Sequence, residues 1–296
     1  MSIWIAGNSA AYRIWAYLTE NARAEADTEA HIATGLRIMN ASDDVAGMAI
    51  SQRLQAQIGG LNEAQQNVQE LTNMIQTAEG GVQTIVTTLG SMNTLAIEAA
   101  GGALSSAAID AIQQELYSYA QQIDNTGKYT SFNGHELLDG GANAPNDNGF
   151  SALLFTALVG ANQFEQMTFS IGTMTAAALG ILNTQLSVTS AALACQTILN
   201  IQNASNLAMA QEGQLGAYVN VLNAQLSVLT VQSSNMSAAN ADLTNLDVAQ
   251  ASLQLAGEQL IAQSATAMLA QANQSSFGLL SLLGVSPSSS TAAALG

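Results

Sequence analysis

Between Ile50 and Ala99 apolar residues return every seventh position. Leu54, Leu61, Val68, Ile75, Val82, Leu89 and Ala96 share one position. Ile50, Gln57, Ala64, Leu71, Ala78, Ile85, Met92 and Ala99 share a second, four residues behind the first, and only Gln57 is polar. A stripe that repeats every 3.5 residues on average keeps one side of a helix turned toward a partner along a supercoil. At 1.5 Å per residue the predicted helix is a rod of roughly 75 Å. The matching stripe lies in the other half of the chain. Leu215, Leu222, Leu229, Met236 and Leu243 are spaced by seven, with Val219 and Leu226 on the second position. The pattern predicts a mainly α protein of long antiparallel heptad helices in a coiled-coil-like bundle, with both chain ends in the same region.

The remaining segments are weaker. Residues 1–34 read as a marginal amphipathic helix with Ile5, Tyr12, Trp15 and Leu18 as its larger apolar groups and Glu20, Glu25, Asp27 and Glu29 on its polar face. The turn-rich stretch 34–44 follows, where Ser42 or Asp43 is placed to cap the long helix. Gly59-Gly60 and Gly80-Gly81 interrupt that helix at about 1 kcal/mol per glycine relative to alanine, which predicts close approach of a neighbouring backbone. Gly101-Gly102 is a stop signal. A further helix starts at Ser105 or Ser106, with Ile109, Ile112, Leu116, Tyr119 and Ile123 on one face. From Asn125 to about Gly180 turn signals take over, at Asn133-Gly134, Asp139-Gly140-Gly141 and residues 146–149. Between and after them, 150–159 and 166–171 read as short strands, the second alternating Met167, Phe169 and Ile171. Helix is predicted again from Thr175 or Asn183 to about Ala249, with a break near Gly213 or Gly216. A last marginal helix, 253–283, carries Leu253, Leu260, Ala267 and Met268, and 285–296 is a low-complexity tail read as disordered.

Composition narrows the function classes. Apolar residues make up 48% of 296 but aromatics only 5%, which suits thin helical packing better than one thick core. No apolar run is long enough to span a membrane, and Met1 to Asn8 lacks the basic region and apolar core of a cleaved signal. Five basic residues against 21 acidic ones give a net charge of −16, which argues against nucleic acid and anionic membrane surfaces as partners. The single cysteine, Cys195, excludes an intrachain disulfide and reads as a small helical residue. His31 and His135 have no second histidine nearby, Asp43-Asp44 are explained by a helix start, and the 143–149 loop lacks a complete calcium ligand set. No phosphate loop or catalytic triad is present. No enzyme and no cofactor is predicted.

Several motifs in order resemble bacterial flagellin. Thr34 to Gly47 (TGLRIMNASDDVAG) resembles the joint between the family's terminal helix and its rod. Residues 75–80 (IQTAEG) and 95–100 (LAIEAA) match its rod helix, and 132–140 (FNGHELLDG) its turn before the hairpin. Gly160-Ala161-Asn162 and Ser170-Ile171-Gly172 follow in family order. Residues 265–274 (ATAMLAQANQ) and 279–284 resemble the flagellin C-terminus.

The resemblance implies a minimal flagellin without large variable outer domains. Residues 1–42 would be the N-terminal inner-tube helix and joint, and 43–180 the N-terminal rod helices with the β element. Residues 181–252 would be the C-terminal rod helix and 253–284 the C-terminal inner-tube helix, with the terminal helices paired. Subunit packing and assembly would fall to Leu36, Arg37, Ile38, Leu54, Leu61, Val68, Ile75, Val82, Leu89, Leu95, Leu222, Leu229, Met236, Leu243, Leu260, Met268, Leu269, Leu279 and Leu282. The implied partners are many copies of the chain in an extracellular filament, hook-associated and cap proteins, and an export chaperone at the C-terminal helix. The hook–filament junction protein of the same family and a secreted adhesion protein are the alternative readings.

Three features depart from the family pattern. Ser91 and Asn93 stand where its rod helix usually has basic residues, and Glu98 where it has glutamine. In some flagellins those positions belong to the surface read by a Toll-like receptor, and of that cluster only Leu95 remains. Lys and Arg are scarce, so identical copies would repel one another except where salt screens them beyond about 8 to 10 Å. The chain also continues past Gly284, where flagellins usually stop.

Overall fold

The computed structural model describes residues 8–140, 152–162 and 164–282, with backbone alone for Ala152 and residues 276–282. Ile5, the 143–149 loop, Phe150 and the 285–296 tail therefore lie outside the described residues. The helices are α1 (Ser9–Thr34), α2 (Val45–Ala100), α3 (Ser106–Tyr129), α4 (Ala191–Thr244) and α5 (Val248–Leu282). The strands are β1 (Ser131–Phe132), β2 (His135–Glu136), β3 (Ala152–Leu158) and β4 (Gln166–Gly172). The chain divides into two compact units, residues 56–237 and residues 1–55 with 238–296.

In residues 56–237 the heptad stripes become core. On α2 Leu61, Ala64, Val68, Ile75, Ala78, Val82, Ile85, Leu89, Met92, Ala96 and Ala99 are buried, and Leu71 packs against them half-buried. On α4 the stripe is longer than the sequence pattern suggested. Ala194, Ile201, Ala204 and Ala208 extend it upstream of Leu215, Leu222 and Leu229. Alanine holds every one of those positions except Ile201, which breaks the run of large residues that spacing follows. The two helices run antiparallel, and Ser233 Oγ donates to Asn62 Oδ1 at 3.2 Å. α4 passes Gly213 and Gly216 without the predicted break. α3 starts as predicted, with the Ser105 hydroxyl accepting from the Ala108 amide, and buries Ile112, Leu116, Ala120 and Ile123.

The glycine pairs divide. Gly59 and Gly80 face open space, contrary to the expected backbone approach. A Cβ at Gly60 would meet Ala161 at 3.3 Å, and one at Gly81 would meet Thr130 and Leu138 side chains at 2.8 Å. The close backbone approach occurs at Gly127 of α3 instead, where a Cβ would sit 2.8 Å from the Met174 carbonyl oxygen.

Both β elements are antiparallel hairpins. β1 and β2 are joined by Asn133 (φ 49°) and Gly134 (φ 80°), the paired positive φ values of a type I′ turn. β3 and β4 pair Phe155 with Phe169 and Thr156 with Thr168. Phe169 and Ile171 are buried, while Leu154 and Leu158 point outward. Phe169 meets Tyr218 of α4 edge-on at 5.1 Å. Burial pushes the Tyr218 phenol up, but hydrogen bonds with the Ser170 hydroxyl and amide and with Gln214 outweigh it and leave it lowered.

Residues 173–190 form no long helix, contrary to the prediction from Thr175 or Asn183. They are an irregular segment that buries Met174, Leu179, Ile181, Leu186 and Val188. Such a segment needs outside partners for its backbone. Gln113 of α3 supplies two of them, its Nε2 donating to Leu186 O at 2.6 Å and its Oε1 accepting from Val188 N at 2.8 Å. Gln113→Ala is expected to cost about 2–3 kcal/mol by stranding both groups. Gly80→Ala, into open space, is expected to gain about 0.5–1 kcal/mol. Urea unfolding of the two variants measures both, and a neutral Gln113 variant would contradict the clamp.

Candidate assembly interface

The unit formed by residues 1–55 and 238–296 is built on α1 and α5. Asn8 caps α1, its Oδ1 accepting from the Ala11 amide. Its Nδ2 reaches across to Ala272 O at 2.9 Å. Further along, Asn21 Nδ2 donates to Glu258 O at 2.8 Å and Thr28 Oγ1 donates to Glu258 Oε1 at 3.3 Å. As the numbers rise on α1 they fall on α5, so the pair is antiparallel. Its seam mixes small, polar and half-buried aliphatic side chains. On α5 these are Ala251, Leu255, Glu258, Ala262, Ala265, Leu269 and Ala272, at alternating spacings of four and three. On α1 they are Ala11, Ile14, Leu18, Asn21, Glu25, Thr28 and Ile32.

Apart from Leu18, the larger apolar groups named from the sequence point the other way. Leu253 is 77% exposed, Leu260 64% and Met268 63%, with Ile261 beside them. Tyr12 is 72% exposed and Trp15 60%, with Tyr17 nearby. The stripe of Leu253, Leu260 and Met268 is thus the outer face of α5, roughly opposite Ala251 and Glu258. Exposed aromatic and aliphatic rows of this length mark surfaces that another molecule covers.

A tight joint follows α1. Gly35, at φ 69°, ends the helix. Leu36 forms an antiparallel bridge with Asn245, Leu246 N donates to Gly35 O, and Arg37 N donates to Thr244 O at 2.7 Å. Arg37 Nη2 donates to Leu243 O at 2.7 Å, and His31 Nδ1 donates to Leu36 O at 2.8 Å. Arg37 therefore satisfies carbonyls at the end of α4, where a helix leaves acceptors without partners. Ile38 is buried beneath the joint.

The predicted cap at Ser42 or Asp43 is corrected to Asp44, whose Oδ1 accepts from Gly47 N at 2.8 Å. Asp43 closes the joint instead, Oδ2 accepting from the amides of Asn40 and Met39, each at 2.9 Å. Those two hydrogen bonds hold its carboxyl below the usual aspartate range. The start of α2 also differs from the heptad reading, since Ile50 is exposed and Ser51 is buried, donating to Asn240 Oδ1 at 2.8 Å. With 3.6 rather than 3.5 residues per turn, the inward positions drift to Gly47, Ser51 and Leu54.

The residues singled out from the sequence thus fall into distinct settings. Leu61, Val68, Ile75, Val82, Leu89, Leu222 and Leu229 are buried within the subunit, while Leu54, Leu95, Met236, Leu243 and Leu269 are half-buried. Leu260 and Met268 are exposed, and the side chains of Leu279 and Leu282 lie outside the described ones. Ser91 and Glu98 are exposed, and the Asn93 Oδ1 is buried without a hydrogen-bond partner. Cys195 lies on α4 but is exposed. Sequence reasoning did not select Tyr17, Val45, Ile50 or Ile261 as outward groups, because spacing finds a stripe without saying which stripe the chain covers for itself.

Electrostatically the two units differ. All four arginines (Arg13, Arg23, Arg37, Arg53) fall in residues 1–55, and Lys128 is the only basic residue of 56–237. Lys128 is bonded to Asp124 at 2.7 Å, the only ion pair among the described residues. Among those residues no three of His, Cys, Asp and Glu converge as a metal site would need. Among the described residues no helix is long and apolar enough to cross a membrane.

Two predictions follow from this geometry. Leu260→Ser combined with Met268→Ser is expected to raise the concentration for self-association roughly tenfold or more, about 1.4 kcal/mol per factor of ten. The melting of residues 56–237 should not move; unchanged association, measured by light scattering, would count against the outer face. Asp43 contributes to the joint above the ordinary aspartate range, and that contribution is lost as pH falls through its lowered value. The Met39 and Asn40 amide signals should therefore hold steady through the ordinary range and titrate below it. Titration within or above that range, followed by NMR, would contradict the assignment.

Comparison with known proteins places this geometry. Residues 5–143 match the profile of the bacterial flagellin N-terminal helical region, and residues 198–283 that of the bacterial flagellin C-terminal helical region. The flagellar filament 30.7 kDa core protein of Treponema maltophilum is 33% identical over 258 residues, covering 85% of this chain and 90% of that protein. Flagellin of Bacillus subtilis is 30% identical over 300 residues, covering 93% and 98%. Among solved structures, a flagellar hook-associated protein from Vibrio parahaemolyticus aligns with a TM-score of 0.57 at 16% identity, covering 69% of this chain and all of that one. That likeness bears on the fold alone.

Proposed function

This chain belongs to the bacterial flagellin family, and from that premise we propose that α1 and α5 are the elements through which its copies polymerise. The chain is a structural subunit of the extracellular flagellar filament, and it is not an enzyme. The observation that carries the assembly reading is the outward row of Leu253, Leu260 and Met268 on α5, together with Tyr12 and Trp15 on α1. Residues 1–42 and 253–284 supply the inner-tube segments, and the buried heptads of 56–237 keep each subunit in shape. The leucines and isoleucines of the seam between α1 and α5 stay half-buried, so the pair gains further stability when neighbouring copies cover its outer face. Hook-associated and cap proteins meet the same surfaces at the filament ends, and an export chaperone covers the outer face of α5 before assembly. The carbonyl grip of Arg37 and the bridge from Leu36 to Asn245 hold the chain direction between these segments.

Deleting residues 1–34 or 253–296 is expected to abolish polymerisation while residues 56–237 keep their melting transition. Filaments formed by either truncated chain, seen by electron microscopy, would overturn the reading. The net charge of −16 adds a salt dependence. Polymerisation of the full chain should be slower in millimolar buffer than at physiological ionic strength, where repulsion is screened. With Ser91, Asn93 and Glu98 at the receptor-facing positions, purified monomer is expected to activate a Toll-like flagellin receptor weakly or not at all. A strong reporter-cell response would contradict this.

A further inference from the structure

We infer that Glu258, held by Thr28 and Gln254, sets the register in which α1 and α5 pair, an inference that rests on the assembly role of that pair. Ala251, Glu258, Ala265 and Ala272 occupy one heptad position of α5, so a carboxylate replaces alanine once in an otherwise uniform row. Glu258 is 8% exposed and Thr28 7%. Glu258 Oε1 accepts from Gln254 Nε2 at 2.9 Å as well as from Thr28 Oγ1, while Oε2 is buried without a partner. Neither oxygen meets a cation.

On this row of α5 each seven-residue step puts alanine where alanine was, while the neighbouring row reads Leu255, Ala262 and Leu269. The carboxylate ends that degeneracy. One heptad in one direction sets Ile14 and Asn21 where Asn21 and Thr28 stand, and one heptad in the other sets Thr28 and Gly35 there, so only the observed register gives Glu258 both donors in their places. A buried polar group that finds its full set of partners in only one alignment favours that alignment at a cost in stability, the best-attested use of such groups in helix pairs. The orphaned Oε2 is the visible part of that cost. Asn21, on the same row of α1 as Thr28, adds a second tie to the same residue through the Glu258 carbonyl.

The test reads register directly in filaments of the full chain carrying Cys195→Ser. Ala11→Cys is combined either with Ala272→Cys, for the observed register, or with Ala265→Cys, for a shift of one heptad. Each is assembled with an excess of otherwise identical cysteine-free protein, so that disulfides form within one subunit. With Thr28 and Glu258 intact, only the first pair should crosslink. In Thr28→Ala with Glu258→Ala, the shifted pair should crosslink to a comparable extent, and Glu258→Gln, which keeps both hydrogen bonds, should restore the single register. Should the double variant not polymerise, Thr28→Ala alone is read in the same way. Crosslinking confined to the observed pair in the alanine variants, or a mixed register in Glu258→Gln, overturns the inference. Failure of the cysteine-free parent to form filaments would count against the assembly reading itself, and it is seen before any variant is compared.

Discussion

In the α1–α5 pair the fully buried side chains are Thr28, Ala251 and Glu258, the leucines and isoleucines of the seam stay half-buried, and Tyr12, Trp15, Leu253, Leu260 and Met268 point away. This seam can hold two helices side by side, but with Ile14, Leu18, Ile32, Leu255 and Leu269 only half-buried it leaves much of its apolar surface uncovered. Burying a large aliphatic side chain contributes about 1.5–3 kcal/mol, and here Leu253, Leu260 and Met268 keep that contribution in reserve for another molecule. A pair built this way is most stable inside a lattice. The unit of residues 56–237 shows the opposite choice, since its heptad residues are spent within the subunit and its irregular segment is locked down by Gln113.

Polar groups set geometry throughout. Asp44 starts α2, Asp43 closes the turn before it, and Arg37 caps the end of α4 through carbonyls rather than through an acid. None of these arrangements uses an ion pair, which suits a chain with so few cations. The same scarcity leaves residues 56–237 almost purely acidic, so their surface repels its own copies, and on the proposed assembly the outer rows of α1 and α5 supply the attraction.

Much of the fold could be read from spacing. The stripes through Leu61 to Ala99 and through Leu215 to Leu229 are core, and the Asn133-Gly134 turn and the Met167, Phe169, Ile171 alternation describe real hairpins. Spacing failed where one rule had two physical outcomes. The dense apolar residues of 173–190 suit a helix as well as a buried irregular segment, and the backbone of the latter is satisfied by distant groups, Gln113, Thr197 and Asn200 among them. Gly59 and Gly60 read alike, yet only Gly60 has Ala161 beside it. At α5 the large residues announced a stripe, but the alanine row opposite took the intrachain contact. Which of two faces a chain keeps for itself is decided by the partner helix, and a single segment does not carry that information.

The central claim is that the terminal pair gains its order from neighbouring copies. Hydrogen exchange of the full chain, compared between monomer and filament, tests it most directly. The account predicts fast exchange across residues 9–34 and 248–275 in the monomer, with slow exchange across the buried heptads of 56–237. In filaments the terminal segments should become protected as strongly as those heptads. Equal, strong protection of the terminal segments in the monomer would contradict the account.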